Sequence, residues 1–179
     1  MGYRAPMNEN MAAGIAVEDG VKEGLIDHDR SVEDCAKLAV RKYDRLTLMK
    51  PIIDAKKRQS KRDEVPAMVR NAIEALRPLG KPEFLDGEQQ KIQIELVGVR
   101  KPLIGYLDFY YPEKGLIVDL KTTGRMPKQI SAAHARQGAV YSAAKSNFQM
   151  QFCYVTARAA CIYTQENAGQ SMLEVAGIA

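Results

Sequence analysis

Apolar positions recur at helical spacing in segments of the first 80 residues and at strand spacing in several shorter segments of the remaining chain. Residues 11–25, Met-Ala-Ala-Gly-Ile-Ala-Val-Glu-Asp-Gly-Val-Lys-Glu-Gly-Leu, read as a helix whose small residues Ala12, Ala13, Gly14 and Ala16 allow close approach to a sheet. Each glycine lowers its intrinsic stability by up to about 1 kcal/mol, so packing has to hold it. Ser31-Val-Glu-Asp34 has the composition of a helix start, and Cys35, Leu38, Ala39 and Tyr43 come after it at helical spacing, which predicts a second helix to about Leu48. Pro51 interrupts. The basic run Lys56-Lys-Arg-Gln-Ser-Lys-Arg62 then reads as a solvated turn, and Pro66 suits the first turn of a third helix carrying Met68, Ile73 and Leu76 and ended by Pro78 and Gly80.

From Gln90 to Val99 apolar residues alternate with polar ones (Ile92, Ile94, Leu96), the pattern of a half-buried strand. Two apolar runs, Leu103 to Tyr111 and Leu116 to Leu120, flank Pro112-Glu-Lys-Gly115, which has the composition of a tight turn. Closing that turn with Pro112 opposite Gly115 sets Asp108 directly across from Asp119. Side chains alternate along a strand, so Asp119 and Lys121 share one face while Leu116, Val118 and Leu120 take the other. The alanine-rich segment Lys128 to Ser146 reads as a helix, and Phe152 to Val155 and Ala160 to Tyr163 as two closing strands. The tail from Gln165 to Ala179 is ambiguous. This order predicts an α/β fold, a central mixed sheet of about five strands flanked by helices, in a single domain spanning residues 1–179.

Composition narrows the function without naming it. A chain of 179 residues with 46% hydrophobic content can bury a core, and 27% charged residues with no apolar run of about 18 leave no membrane-spanning segment to expect. Cys35, Cys153 and Cys161 form neither a CxxC pair nor a four-ligand set, so no zinc site or iron–sulfur cluster is expected, and reduced buried thiols fit a cytoplasmic protein. The net charge of +4 is compatible with a polyanionic partner and does not establish one.

The chemistry concentrates on the central hairpin. Opposed strand residues sit about 4.5–5.5 Å apart at Cβ, where two bare carboxylates repel, so a cation belongs between Asp108 and Asp119. Mg²⁺ suits such a pair, because it takes one or two carboxylates and fills its other positions with water and phosphate oxygens. Such a site can hydrolyse phosphodiesters, with a lysine orienting the attacking water.

Asp108 with Asp119-Leu-Lys121 resembles the PD-(D/E)xK nuclease signature. A second copy of the short element, Asp54-Ala-Lys56, lacks a flanking apolar strand. Gly105-Tyr-Leu-Asp108 resembles the G-x-(I/L)-D form of the RecB-like, Cas4-like and phage exonuclease branch, and Thr122-Thr123 after the lysine is typical of it. Gln137-Gly-Ala-Val-Tyr141 matches that branch's Gln-x-x-x-Tyr element, and Gly14-Ile-Ala-Val-Glu18 its early Gly-x-x-x-Glu. The resemblance implies a restriction-endonuclease-like core and a deoxyribonuclease using one or two Mg²⁺ or Mn²⁺ ions. Glu18, Asp108, Asp119 and the main-chain carbonyl of Leu120 would be ligands, Lys121 the water-activating residue, and Gln137 and Tyr141 supports for the lysine or the substrate phosphates. Arg125 and Lys128, with Thr122 and Thr123, would meet substrate phosphates. An exonuclease on duplex DNA ends in recombination, repair or phage DNA processing is the leading expectation, located in the host cytoplasm if phage-encoded, with a homo-oligomer or a recombination protein as further partner. An endonuclease of the same superfamily, or a non-catalytic DNA-binding module, is the alternative. His134 reads as a surface or satisfied polar residue.

Overall fold

The computed structural model describes residues 7–48, 54–85, 87–95, 100–145, 147–166 and 177. Its contacts group the chain, expected to be one domain, into two compact units interleaved in sequence: Met1–Gly80 with Lys121–Met126 and Val155–Ala160, and Lys81–Leu120 with Pro127–Tyr154 and Cys161–Ala179.

The first unit is built on three helices, α1 (Glu9–Ile26), α2 (Val32–Thr47) and α3 (Ala55–Leu76). Each starts on a side-chain cap: Asn8 accepts from the Met11 N–H, Ser31 from Asp34 and Asp54 from Lys57, which satisfies one otherwise orphaned donor per helix. Along α1, Val17, Val21 and Leu25 are fully buried, and each contributes roughly 1.5–3 kcal/mol, enough to outweigh its glycines. Two of those glycines are contact points. A Cβ on Gly20 would stand 2.9 Å from both Ala39 Cβ and the Cys35 carbonyl, and one on Gly24 would stand 2.5 Å from Ile73 Cδ1.

The third helix differs from its sequence expectation. The basic run from Lys56 to Arg62 is not a turn but part of α3's opening turns, and Pro66 lies in the helix interior. Arg62 makes a two-pronged bond to Asp44 (2.8 and 2.9 Å), Arg58 Nε donates to Thr47 Oγ1 (2.8 Å) and Lys61 pairs with Glu64 (2.7 Å). These cations are held by partners along α2 and α3. An interior proline costs about 3 kcal/mol, and the burial of Val65, Met68 and Val69 around it offsets that.

The strands form two sheets, not the expected one of about five strands. A two-stranded sheet pairs β1 (Gln90–Ile94) with β2 (Leu103–Leu107) antiparallel, and a four-stranded sheet runs β3-β4-β5-β6, with β3 Phe109–Tyr111, β4 Leu116–Thr122, β5 Gln149–Val155 and β6 Ala160–Thr164. The expected end of the first strand, Leu96 to Val99, falls outside the described residues, as do Pro51, Ser146 and residues 167–176. The hairpin register is as read from the sequence: Phe109 opposes Val118 and Tyr111 opposes Leu116 across a 3-10 turn, Pro112–Lys114, closed by Gly115 in the left-handed region (φ 58°). The run Leu103–Tyr111, however, is broken at Asp108, whose carboxylate takes a main-chain N–H of β4 as partner and so competes with ladder pairing.

β4 and β5 run parallel, since Gln149 N–H bonds the Gly115 carbonyl at one end and Thr123 N–H bonds the Val155 carbonyl at the other. The crossover between them contains helix α4 (Ala132–Ala144), as parallel pairing requires. This helix starts four residues later than expected because the Ser131 side chain caps it, leaving Lys128 in the preceding loop. A central strand flanked on both edges buries both faces, and Leu116 through Leu120 are all buried, Asp119 among them. Among the described residues no helix is long and apolar enough to cross a membrane.

Candidate functional site

The acidic residues come together in the second unit through the backbone. Asp108 stands at the kink between β2 and β3, where its Oδ2 accepts the Leu120 N–H at 2.8 Å and its Oδ1 accepts Gln89 Nε2 at 3.0 Å. Its carboxylate is thereby fixed on the peptide that succeeds Asp119. The expected register is right, but the expected surface is not: Asp119 is 1% exposed and Asp108 half-buried, so the pair is not an open patch. Withdrawing a carboxylate from water costs several kcal/mol. At Asp119 that cost is offset in part by the hydrogen bond accepted from Gln137.

Gln137 and Tyr141 face the same way from α4, as their spacing of one helical turn requires. Gln137 Nε2 donates to Asp119 Oδ1 at 3.0 Å and to the Tyr141 hydroxyl oxygen at 2.8 Å. Tyr141 is 7% exposed. Burial pushes its phenol up to about 12; the carboxylates of Asp119 and Asp108 add to the rise, while the Gln137 amide and the Tyr106 main chain oppose it. Gln137 thus links the Asp119 carboxylate to the Tyr141 hydroxyl. Gly105 makes room for that ring, because a Cβ there would stand 2.6 Å from Tyr141 Cε1. Gly138 does the same for Gln165, whose Oε1 would collide with a Cβ at that position.

Lys121 is two residues beyond Asp119 on β4 and shares its side of the strand by alternation. It is half-buried and opens the segment Lys121–Met126 of the first unit. Within that unit α1 passes close to the end of β4: a Cβ on Gly14 would lie 3.3 Å from Thr122 Oγ1. Glu18, half-buried, is one turn along α1 from Gly14 and on the same face. Thr123 Oγ1 bonds the Arg125 carbonyl at 3.0 Å, and Arg125 and Lys128 are exposed. His134 Nδ1 lies 2.7 Å from the Tyr154 hydroxyl and its ring stacks on Phe152, the satisfied polar residue that the sequence suggested.

Two residues escaped the sequence reading. Gln89, which holds Asp108, has no signal beyond being polar at a strand entry. Arg158 lies in the β5–β6 turn and beside a cleft that also takes in Arg125; its signal was a lone cation in a two-strand turn.

Two carboxylates suit Mg²⁺ or Mn²⁺, which complete their shells with carbonyls, water and phosphate. Each carboxylate oxygen has two lone-pair sites, so accepting one hydrogen bond does not prevent ligation. Among the described residues no three His, Cys, Asp or Glu side chains group closely enough to hold an ion alone, so water or substrate oxygens would have to supply part of the shell.

No protein-family model and no curated protein matches the chain. Among solved structures, the crystal structure of SSO0001 is similar at 14% identity over 90% of this chain and 82% of that one, with a TM-score of 0.43, a likeness too slight to argue from.

Proposed function

We propose that the chain is a Mg²⁺- or Mn²⁺-dependent deoxyribonuclease of the PD-(D/E)xK type, with a restriction-endonuclease-like core, cutting duplex DNA from its ends. The observation that supports this reading most is the bond from the Leu120 N–H to Asp108. It joins the isolated acid of the sequence pattern to the Asp119-Leu120-Lys121 strand, beside the buried Asp119.

In this reading Asp108, Asp119 and the Leu120 carbonyl would hold the cation together with water or substrate oxygens; Glu18, which the sequence resemblance names as a further ligand, does not group with these two carboxylates. A divalent cation there would supply charge stabilisation at the scissile phosphate and a lowered pKa for water. The chain's own groups do the rest. Gln137 fixes the orientation of Asp119 through Oδ1. Tyr141 stays protonated at neutral pH, and its hydroxyl hydrogen, not used toward Gln137, is a donor suited to a phosphate oxygen. Lys121 positions the attacking water.

The test is a nuclease assay on linear duplex with Mg²⁺ or Mn²⁺. Lys121→Ala and Asp119→Ala should each lower the rate by about 10²–10⁴-fold, the range for losing a positioned proton-transfer or charge-stabilising group. Equal cleavage by all three proteins sinks the proposal. A covalently closed circle left intact while linear DNA is degraded marks an exonuclease; nicking of the circle marks an endonuclease on the same site.

A further inference from the structure

The first unit contains a cleft of about 710 Å³ between the segment Gly124–Met126 and the turn Thr156–Ala159. Arg125 stands on one wall and Arg158 on the other, both exposed. The ion pairs formed among the described residues use neither arginine. Glu64, the acidic residue on the lining, is already paired to Lys61 at 2.7 Å, and Lys61 in turn lines an adjoining hollow of about 330 Å³ that shares Gly124. The balance of the lining is therefore cationic.

Both walls are held by their own hydrogen bonds. Thr156 Oγ1 accepts from the Arg158 and Ala159 N–H groups (3.1 Å each), and Asn71 Nδ2 on α3 bonds the Thr156 carbonyl at 3.0 Å. Thr123 ties its segment to β5 through the Val155 carbonyl at 2.9 Å and braces the Arg125 carbonyl. Two guanidinium groups on fixed loops, facing one cleft without a carboxylate partner among the described residues, suit successive phosphates of a polymer, because guanidinium matches phosphate with paired donors and loses little freedom on binding. Apart from Glu64, which is paired to Lys61, the described lining presents no acid or amide to read bases, so contact to the backbone is what it fits.

We infer that this cleft binds the phosphodiester backbone of a nucleic acid, with Arg125 and Arg158 as its phosphate ligands. The nuclease reading supplies the identity of the polyanion; the cleft itself rests on the two arginines. Arg158 is the new residue, and it makes the β5–β6 turn a substrate-contacting element.

The experiment is fluorescence anisotropy of the full chain with a dye-labelled duplex of about 20 base pairs in EDTA, so that nothing is cut, over a series of salt concentrations. Arg125→Ala/Arg158→Ala should weaken binding about 10-fold or more near 0.1 M salt and flatten the log K against log salt slope by about 2, roughly one unit per lost phosphate contact. The conservative double lysine variant should keep the slope, and Arg70→Ala, on α3 in an exposed pair with Glu33, should change nothing. Unchanged affinity and slope in the double alanine variant, or no duplex binding by wild type, overturns the inference. Mn²⁺ binding by calorimetry in wild type, Asp119→Ala and the double alanine variant separates the two readings. Arginine-dependent DNA binding without Asp119-dependent Mn²⁺ binding leaves the cleft standing and removes the nuclease; the opposite pattern removes only the cleft.

Discussion

Replacing Gly105 by alanine adds one methyl group where the candidate site has no space. The backbone there is ordinary strand, so the cost is steric rather than conformational. The new Cβ would stand 2.6 Å from Tyr141 Cε1 and 3.2 and 3.3 Å from Ile92 Cγ1 and Cδ1. Ordinary van der Waals separation demands that the ring retreat by most of an ångström, and a ring that is 7% exposed has little room to do so. Overpacking of this kind costs about 1–3 kcal/mol. Displacing the hydroxyl from Gln137, now at 2.8 Å, adds about 0.5–1.5 kcal/mol. A total of about 2–4 kcal/mol translates, for a chain of this size, into a melting point lower by roughly 5–15 °C. Differential scanning calorimetry measures it, with Gly124→Ala as the control, since a Cβ there meets nothing within 4 Å. The cause is isolated by Gly105→Ala/Tyr141→Ala: with the ring gone the alanine should cost little, giving a coupling of at least about 1 kcal/mol. A Gly105→Ala protein that melts within a degree of wild type, or two costs that simply add, refutes the argument.

Two further outcomes arise from the charges. Tyr141 has an ordinary value of 10.0 and is raised to about 12 in the folded chain, so the unfolded chain releases this proton first. Its contribution is whole below pH 10 and is lost as pH climbs to about 12; Tyr141→Phe should flatten the decline of the urea midpoint across that window, and an unchanged slope contradicts the assignment. Arg62 is paired with Asp44 while both remain about one-third exposed, so Arg62→Ala should cost no more than about 1 kcal/mol and leave duplex affinity as it was. A fall in affinity like that expected for the cleft arginines would show that the α3 cations meet DNA after all.

What the sequence disclosed, and what it hid, divides by the range of the interactions involved. The register of β3 against β4 comes from Pro112 to Gly115 and the alternation on either side, all local. The facing of Gln137 and Tyr141 comes from one helical turn. The break at Asp108 is different, because it depends on a hydrogen bond to Leu120, twelve residues away on another strand, and period-two alternation runs through the position without a sign of it. Pro66 misled for a similar reason: proline is at home in a first turn, and only burial of the residues around it keeps a helix running through. The basic run looked solvated because its partner Asp44 lies on a different helix. The burial of Asp119 was also hidden, since an acid in an apolar run reads as the exposed face of a strand until a neighbour on each edge is known.

The interleaving of the two units has a consequence for how the chain is made. Residues 7–80 leave a ribosome before residues 121–160 do, yet the unit they belong to includes Lys121–Met126 and Val155–Ala160. Its completion waits for segments made much later, and during that interval Met68, which lines a hollow with Thr122 to Gly124, and Asn71, which bonds the Thr156 carbonyl, await part of their final surroundings. The boundary also falls between Leu120 and Lys121, and again between Tyr154 and Val155, inside continuous strands. No single cut of the gene yields either unit whole. Loss of the β5–β6 turn, by truncation or a frameshift beyond Tyr154, would therefore damage the helical unit that was translated long before it.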